Sequence, residues 1–160
     1  MSTSGKKAKQ SAQIVLDAIR EADVRAILQG WDAETLRSLG ASSNVYCAGS
    51  MPHDWLFDRV SAVIHHGGFG TTAAGFRSGM PSIVIPHIID QYYWGQRVFE
   101  LGVSPNLISC GKLTADNLAD AIRQSLTNQT MRAKAAELGD AICREPDGVM
   151  GAIKLIEKTI

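Results

Sequence analysis

The stretch from Val60 to Ala74 constrains this chain more than any other. Val60 to Ile64 is a mostly apolar run of strand length. His65-His66-Gly67-Gly68-Phe69-Gly70 follows as a glycine-rich turn, and then come Thr71-Thr72-Ala73-Ala74, with Gly79-Met80-Pro81 as a stop signal. This is the order strand, glycine-rich loop, helix. The helix is predicted to begin near Gly70 or Thr71, with its unpaired N–H groups facing the loop. Those donors and the positive end of the helix dipole favour an anion. Glycines at 67, 68 and 70 let backbone approach it closely, Thr71 and Thr72 add hydroxyls, and His66 adds a ring N–H. The physical reading is a phosphate site. A tight turn with Thr71 as the N-cap accounts for the local pattern alone equally well.

The rest of the chain repeats this alternation. Helical spacing runs from Gln10 to Ala22, with short helices predicted at Glu34–Leu39 and Asp54–Phe57. Longer helices are predicted at Thr71–Ser78, Asp90–Leu101, 114–126, 128–143 and 147–157. Strands are predicted at Val24–Leu28, Asn44–Ala48, Val60–His65, Ser82–Pro86 and Pro105–Ser109. Alternating strands and helices imply an α/β fold, a Rossmann-like doubly wound parallel sheet with helices on both faces. Ligands of such sheets bind at the carboxyl ends of the strands, so the loops after Ala48, His65 and Pro86 are expected to converge. Residues 1–160 read as one domain, with 1–9 as a flexible lead-in.

Composition narrows the classes. The formal net charge is zero, which gives no electrostatic case for nucleic acid or an anionic membrane as the main partner. Cys47, Cys110 and Cys143 are scattered and odd in number, against a disulfide framework or a zinc site. With no long apolar run and no signal-peptide pattern, the expected location is cytoplasmic, and peripheral to membranes in the full-length protein.

Several segments, in order, carry a resemblance. They are Met51-Pro52-His53-Asp54-Trp55-Leu56-Phe57, His65 to Ala74, Pro86, Asp90-Gln91 with Trp94-Gly95, Arg97, and Leu101-Gly102-Val103. Together they resemble the donor-binding signature in the C-terminal half of GT-B fold nucleotide-sugar glycosyltransferases, sterol and related lipid or natural-product glucosyltransferases above all. The resemblance implies that His66, Gly67, Gly68, Gly70, Thr71 and Thr72 hold the donor diphosphate. It places Asp90 and Gln91 on the sugar hydroxyls with Trp94 as an apolar wall, and Ser50, Met51, Pro52 and His53 around the nucleoside. Plant members carry a tryptophan where Ser50 stands. Ser50 cannot stack on a base, which leaves the nucleotide preference open. His65 is expected to be structural, Trp55 a packing residue, and Arg77 and Arg97 solvent-facing or in helix ion pairs.

The resemblance also implies an inverting, metal-independent transfer of glucose from UDP-glucose, the donor substrate, with no cofactor, to a sterol or other lipid hydroxyl. The catalytic base and acceptor pocket belong to an N-terminal domain, so no catalytic residue is assigned in this chain, which is expected to be inactive alone. Members begin this half with an extended apolar strand, and Met1 to Gln10 offers none. Its loss leaves a gap mid-sheet that a second copy, a rearranged N-terminal segment or a partner chain would close; a homodimer is expected over a monomer. Two other classes remain open: a non-catalytic donor-binding subunit, and a dinucleotide-dependent oxidoreductase. For the latter, Gly68-x-Gly70-x-x-Ala73 with Asp90 about twenty residues on fits the fingerprint, although on a later strand than usual.

Overall fold

The computed structural model describes residues 6–146 and 148–159. The chain enters through helix α1 (Lys6–Ala22). Strand β1 (Ala26–Gln29), helix α2 (Ala33–Ser38) and strand β2 (Val45–Ala48) follow. Helix α3 (His53–Phe57) leads to β3 (Val63–His65), α4 (Phe69–Arg77), β4 (Ser82–Val84) and α5 (Ile89–Glu100). Three further helices, α6 (Ala115–Thr127), α7 (Gln129–Arg144) and α8 (Gly148–Glu157), complete the order. No described helix is long and apolar enough to cross a membrane.

Local chemistry sets these boundaries. Ala8, Ala12, Val15, Leu16 and Ile19 recur at helical spacing and are all buried, which drives one stripe of α1 into the core. The stripe begins inside the segment expected to be a flexible lead-in. Residues 6–9 instead belong to α1, and the Trp31 indole N–H donates to the Ala8 carbonyl at 3.3 Å. Residues 1–5 lie outside the described residues. The Asp32 carboxylate caps α2 by accepting from the Thr35 N–H at 2.7 Å. Thr114 and Asn117 form a reciprocal capping box on α6, and Asn128 caps α7.

The strands pair in parallel but in two separate sets. Ala26 to Gln29 of β1 stand beside Val45 to Ala48 of β2, and Val63 to His65 of β3 beside Ser82 to Val84 of β4. Among the described residues no ladder joins the two pairs. The segment expected as a last strand, Pro105–Ser109, contributes only a parallel bridge from Leu107 to Val84. Pro105 has no N–H to donate, and the Ser104 hydroxyl bends the segment by donating to the Asn106 carbonyl at 2.9 Å.

The main core lies between α1 and α6 and the strands. Val15, Ala18 and Ile19 meet Leu118, Ala121 and Ile122 there, with Ile83 and Ile85 beneath. On the opposite side α4 packs on α7. A Cβ built on Gly139 would stand 2.8 Å from the Gly79 backbone, so these elements touch main chain to main chain. Trp55, expected to pack, is instead 49% exposed, with the Arg59 guanidinium carbon 4.3 Å from the ring centroid. Arg77 is exposed, and Arg97 pairs with Glu100 at 3.6 Å.

Candidate functional site

The site is built on the carboxyl ends of β3 and β4. β3 ends at His65, and the chain turns sharply through Gly67, whose φ of +90° lies in the region glycine favours. The Gly67 N–H donates to the His65 Nδ1 at 3.0 Å, which locks the buried ring beneath the turn. Gly68 serves as the N-cap of α4, whose first residue, Phe69, lies one to two residues ahead of the start predicted from sequence. Its open side faces His66: a Cβ on Gly68 would come 2.7 Å from the His66 Nε2. The imidazole therefore lies over the glycine loop at the positive end of α4.

The first turn of α4 divides its two threonines. Thr72 is buried, its N–H and its hydroxyl both bonded to the Gly68 carbonyl, at 2.9 and 3.0 Å. Thr71 is half-buried, and Phe69 and Gly70 are exposed on the outer side. The N–H groups of Phe69, Gly70 and Thr71 precede the first intrahelical bond, which Thr72 makes.

The second loop, after β4, abuts the first. A Cβ on Gly67 would stand 3.0 Å from the Gln91 carbonyl oxygen. Gln91 itself is buried, and its side-chain oxygen accepts from the N–H groups of His87 and Ile88 at 2.8 and 3.3 Å. This side chain thus shapes the loop. Asp90, one residue before it, is exposed. Trp94 is half-buried, with the Phe69 and Tyr93 rings each 5.1 Å away, so it bridges the starts of α4 and α5. Sequence reasoning singled out Trp94 but passed over Phe69 and His87; a bulky aromatic between two loop glycines was the available signal for Phe69.

Electrostatics tie the loops together. Burial, first of all, pushes the His66 imidazole below its ordinary 6.5, against the opposing pull of the Asp90 carboxylate. Burial also lowers His87, with His66 repelling its charged form. His65 is pushed down to about 4, mainly by burial and then by repulsion from His66 and His53. Its Nε2 has no hydrogen-bond partner. At neutral pH all three rings are neutral, and each can offer one N–H.

The third loop follows β2. Ser50 and Pro52 are exposed, Met51 packs on the Leu56, Phe57 and Val63 cluster, and His53 opens α3 with its ring stacked 4.8 Å from Phe57. The three loops therefore gather at one end of the parallel strands, as expected from sequence. Among the described residues no group of three or more His, Cys, Asp or Glu is placed to hold a metal ion.

Comparison with known proteins accords with this arrangement. The family described as erythromycin biosynthesis protein CIII-like, C-terminal domain, matches residues 13–157. The chain belongs to that family. It is a C-terminal domain of the GT-B glycosyltransferase type. A sterol 3-beta-glucosyltransferase of Arabidopsis thaliana is 36% identical over 146 residues, 91% of this chain. One of Eremothecium gossypii is 41% identical over 153 residues, 89% of this chain. The chain spans only 23% and 12% of these two relatives. Among solved structures, the glycosyltransferase VinC in complex with dTDP superposes with a TM-score of 0.78. It is 25% identical and covers 91% of this chain and 36% of VinC. The glycosyltransferase of kitacinnamycin shares the fold, with a TM-score of 0.78 over 99% of this chain and 40% of its own.

Proposed function

We propose that this domain binds the diphosphate of UDP-glucose at the start of α4 and presents the glucosyl group to a sterol or other lipid hydroxyl. The observation that carries the reading is the convergence of the free first-turn N–H groups of α4, the His66 ring and the exposed Asp90 at one end of the strands. Such a cluster suits an anion flanked by a polyhydroxylated group. The relatives named as sterol glucosyltransferases support glucose and a sterol, and the dTDP complex of VinC supports a nucleoside diphosphate.

In this reading the transfer is inverting and needs no metal. The acceptor oxygen attacks the anomeric carbon, its proton passes to a base on a second domain, and the bond to the diphosphate oxygen breaks. Charge grows on the departing UDP. The α4 N–H groups, the Thr71 hydroxyl and the His66 N–H offset it in place of a cation. Asp90 accepts from sugar hydroxyls, and Gln91 holds the loop and offers its amide N–H. Ser50 to His53 flank the nucleoside.

A second reading is a donor-binding subunit that works only with a separate acceptor-binding chain. Both readings predict no turnover by these 160 residues alone. Calorimetric titration with UDP, UDP-glucose and NAD tests the shared donor assignment. Binding of the first two and not of NAD is expected; binding of NAD with no response to UDP overturns it. A transfer assay with a sterol acceptor, with and without an acceptor-binding chain, then separates the readings.

A further inference from the structure

The starts of α4 and α5 present apolar side chains to solvent around the donor site. Ile88 is the N-cap of α5, a position where a short polar side chain ordinarily accepts from the first-turn N–H groups, and its side chain makes no such bond. Gln91 supplies only the reverse half of a cap, by accepting from the Ile88 N–H at 3.3 Å. Ile89, the first helical residue, is 92% exposed, and Phe69, Ile88 and Tyr93 are 63%, 61% and 64% exposed. Ile89 and Tyr93 stand one turn apart and share a face of α5, whereas Gln91, Gly95 and Val98 are the residues it buries. Phe69 joins that outer face through Trp94, whose ring lies 5.1 Å from both Phe69 and Tyr93. A single exposed isoleucine is ordinary, but a continuous apolar ridge across two helix starts marks a binding surface. The ridge is also nearly free of charge: no Asp, Glu, Lys or Arg lies between His66 and Phe76, and Asp90 alone lies between Pro86 and Gln96.

The place of Asp90 within the ridge points to what meets it. Given the diphosphate at the start of α4 and the sugar on Asp90, the reading on which this step rests, the acceptor oxygen reaches the anomeric carbon from the side away from the diphosphate. The carbon skeleton that bears this oxygen then comes down beside the sugar. The side chains flanking Asp90 on the outside are Ile88, Ile89 and, less than a turn on, Tyr93, and Phe69 stands on the diphosphate loop itself. We infer that Phe69, Ile88, Ile89 and Tyr93 form an apolar lip that holds the hydrocarbon body of the acceptor next to its reacting hydroxyl. Acceptor selection is thereby shared by this domain, and it favours alcohols whose hydroxyl sits on a bulky apolar ring. A hydroxyl on a small or polar molecule has no surface to bury there, because burial of hydrocarbon is all that the lip offers. Ile89, the most exposed of the four, has the most area to lose to such a ligand.

The test uses the whole 160-residue chain, saturated with UDP and carrying labelled isoleucine methyl groups for NMR. The probes are methyl β-glucoside and cyclohexyl β-glucoside, which offer the same sugar and differ only in the apolar body attached to it. The cyclohexyl glucoside is expected to bind about 10-fold more tightly than the methyl one and to shift the Ile88 and Ile89 methyl signals saturably. Ile88→Ser combined with Ile89→Ser is expected to erase that preference while the circular dichroism spectrum and UDP binding persist. Ile89→Val, which keeps a branched hydrocarbon, is expected to keep most of it. A cyclohexyl glucoside that binds no better than the methyl one, with UDP bound, overturns the lip and leaves the donor assignment standing. So does a preference that survives both serine substitutions. Isoleucine methyl signals at 88 and 89 that move with protein concentration alone would give this face to a second copy of the chain and overturn the proposal as well. Failure of UDP itself to bind overturns the donor assignment, and the lip falls with it.

Discussion

Gly67 sits against Val84 so closely that a Cβ on the glycine would stand 2.7 Å from the valine Cγ1. This contact joins the diphosphate loop to β4 and, through the Gln91 carbonyl 3.0 Å away on the same measure, to the first turn of α5. The loop thus has no freedom to settle elsewhere, and the start of α4 is held open toward the site. Gly67→Ala faces both a positive φ of 90° and this overlap. We expect it to lower stability by about 2–4 kcal/mol in urea denaturation, from backbone strain and overpacking together, and to abolish UDP binding.

His66 is expected to bond the diphosphate directly. His66→Ala should weaken UDP binding by about 1–3 kcal/mol in calorimetry, the scale of a lost hydrogen bond to a charged group, with the circular dichroism spectrum unchanged. Because burial holds its pKa below 6.5, the ring is neutral in the free protein at pH 7. A bound diphosphate favours the imidazolium, so affinity in the native protein should rise as pH falls from 7.5 toward 5.5. The alanine variant should lose the part of that slope which belongs to the ring.

Asp90 is exposed at the start of α5, beyond the diphosphate loop, whereas Gln91 is buried and its side-chain oxygen is committed to the His87 and Ile88 N–H groups. We expect Asp90→Ala to lower affinity for UDP-glucose while leaving UDP nearly unchanged. Equal losses for both ligands would contradict its placement on the sugar. Gln91→Ala should behave differently. Removing the acceptor of the His87 and Ile88 N–H groups unties the loop, so both ligands should weaken, along with a loss of stability of about 1–2 kcal/mol.

Much of this arrangement was legible in the sequence, because strand, glycine turn and helix each carry a local signal. The order of elements follows from apolar periodicity, and the convergence of the loops after Ala48, His65 and Pro86 follows from a parallel sheet. What sequence did not show was tertiary in origin. Both threonines carry the same hydroxyl, yet only their places on the first turn of α4 bury Thr72 and leave Thr71 half-open. Gln91 reads as a ligand by residue type, and the direction of its side chain toward His87 and Ile88 emerges only with the loop folded. The α1 start was missed because Lys6, Lys7 and Lys9 look like a polar tail, whereas Ala8 begins a buried stripe. Pro105–Ser109 has strand composition, but Pro105 and the Ser104 bend leave room for one bridge.

His65 gives the clearest pH signature. Its ring is buried, its Nδ1 is committed to the Gly67 N–H, and its pKa is pushed from 6.5 down to about 4. The neutral ring is the form the folded protein holds. Between these two pKa values the unfolded chain binds a proton that the folded chain does not, so stability rises with pH in that window. The contribution is fully present above pH 6.5 and is lost as pH falls toward 4. On this scale it amounts to about 3 kcal/mol. Urea denaturation at intervals from pH 7.5 to 4 should show the decline steepening below 6.5. His65→Asn, which keeps an acceptor near the Gly67 N–H but cannot titrate, should flatten that part of the curve while lowering stability at neutral pH through poorer packing. A wild-type profile that is level from 6.5 to 4 would mean that the ring is charged at little cost and that the turn does not depend on its neutral form.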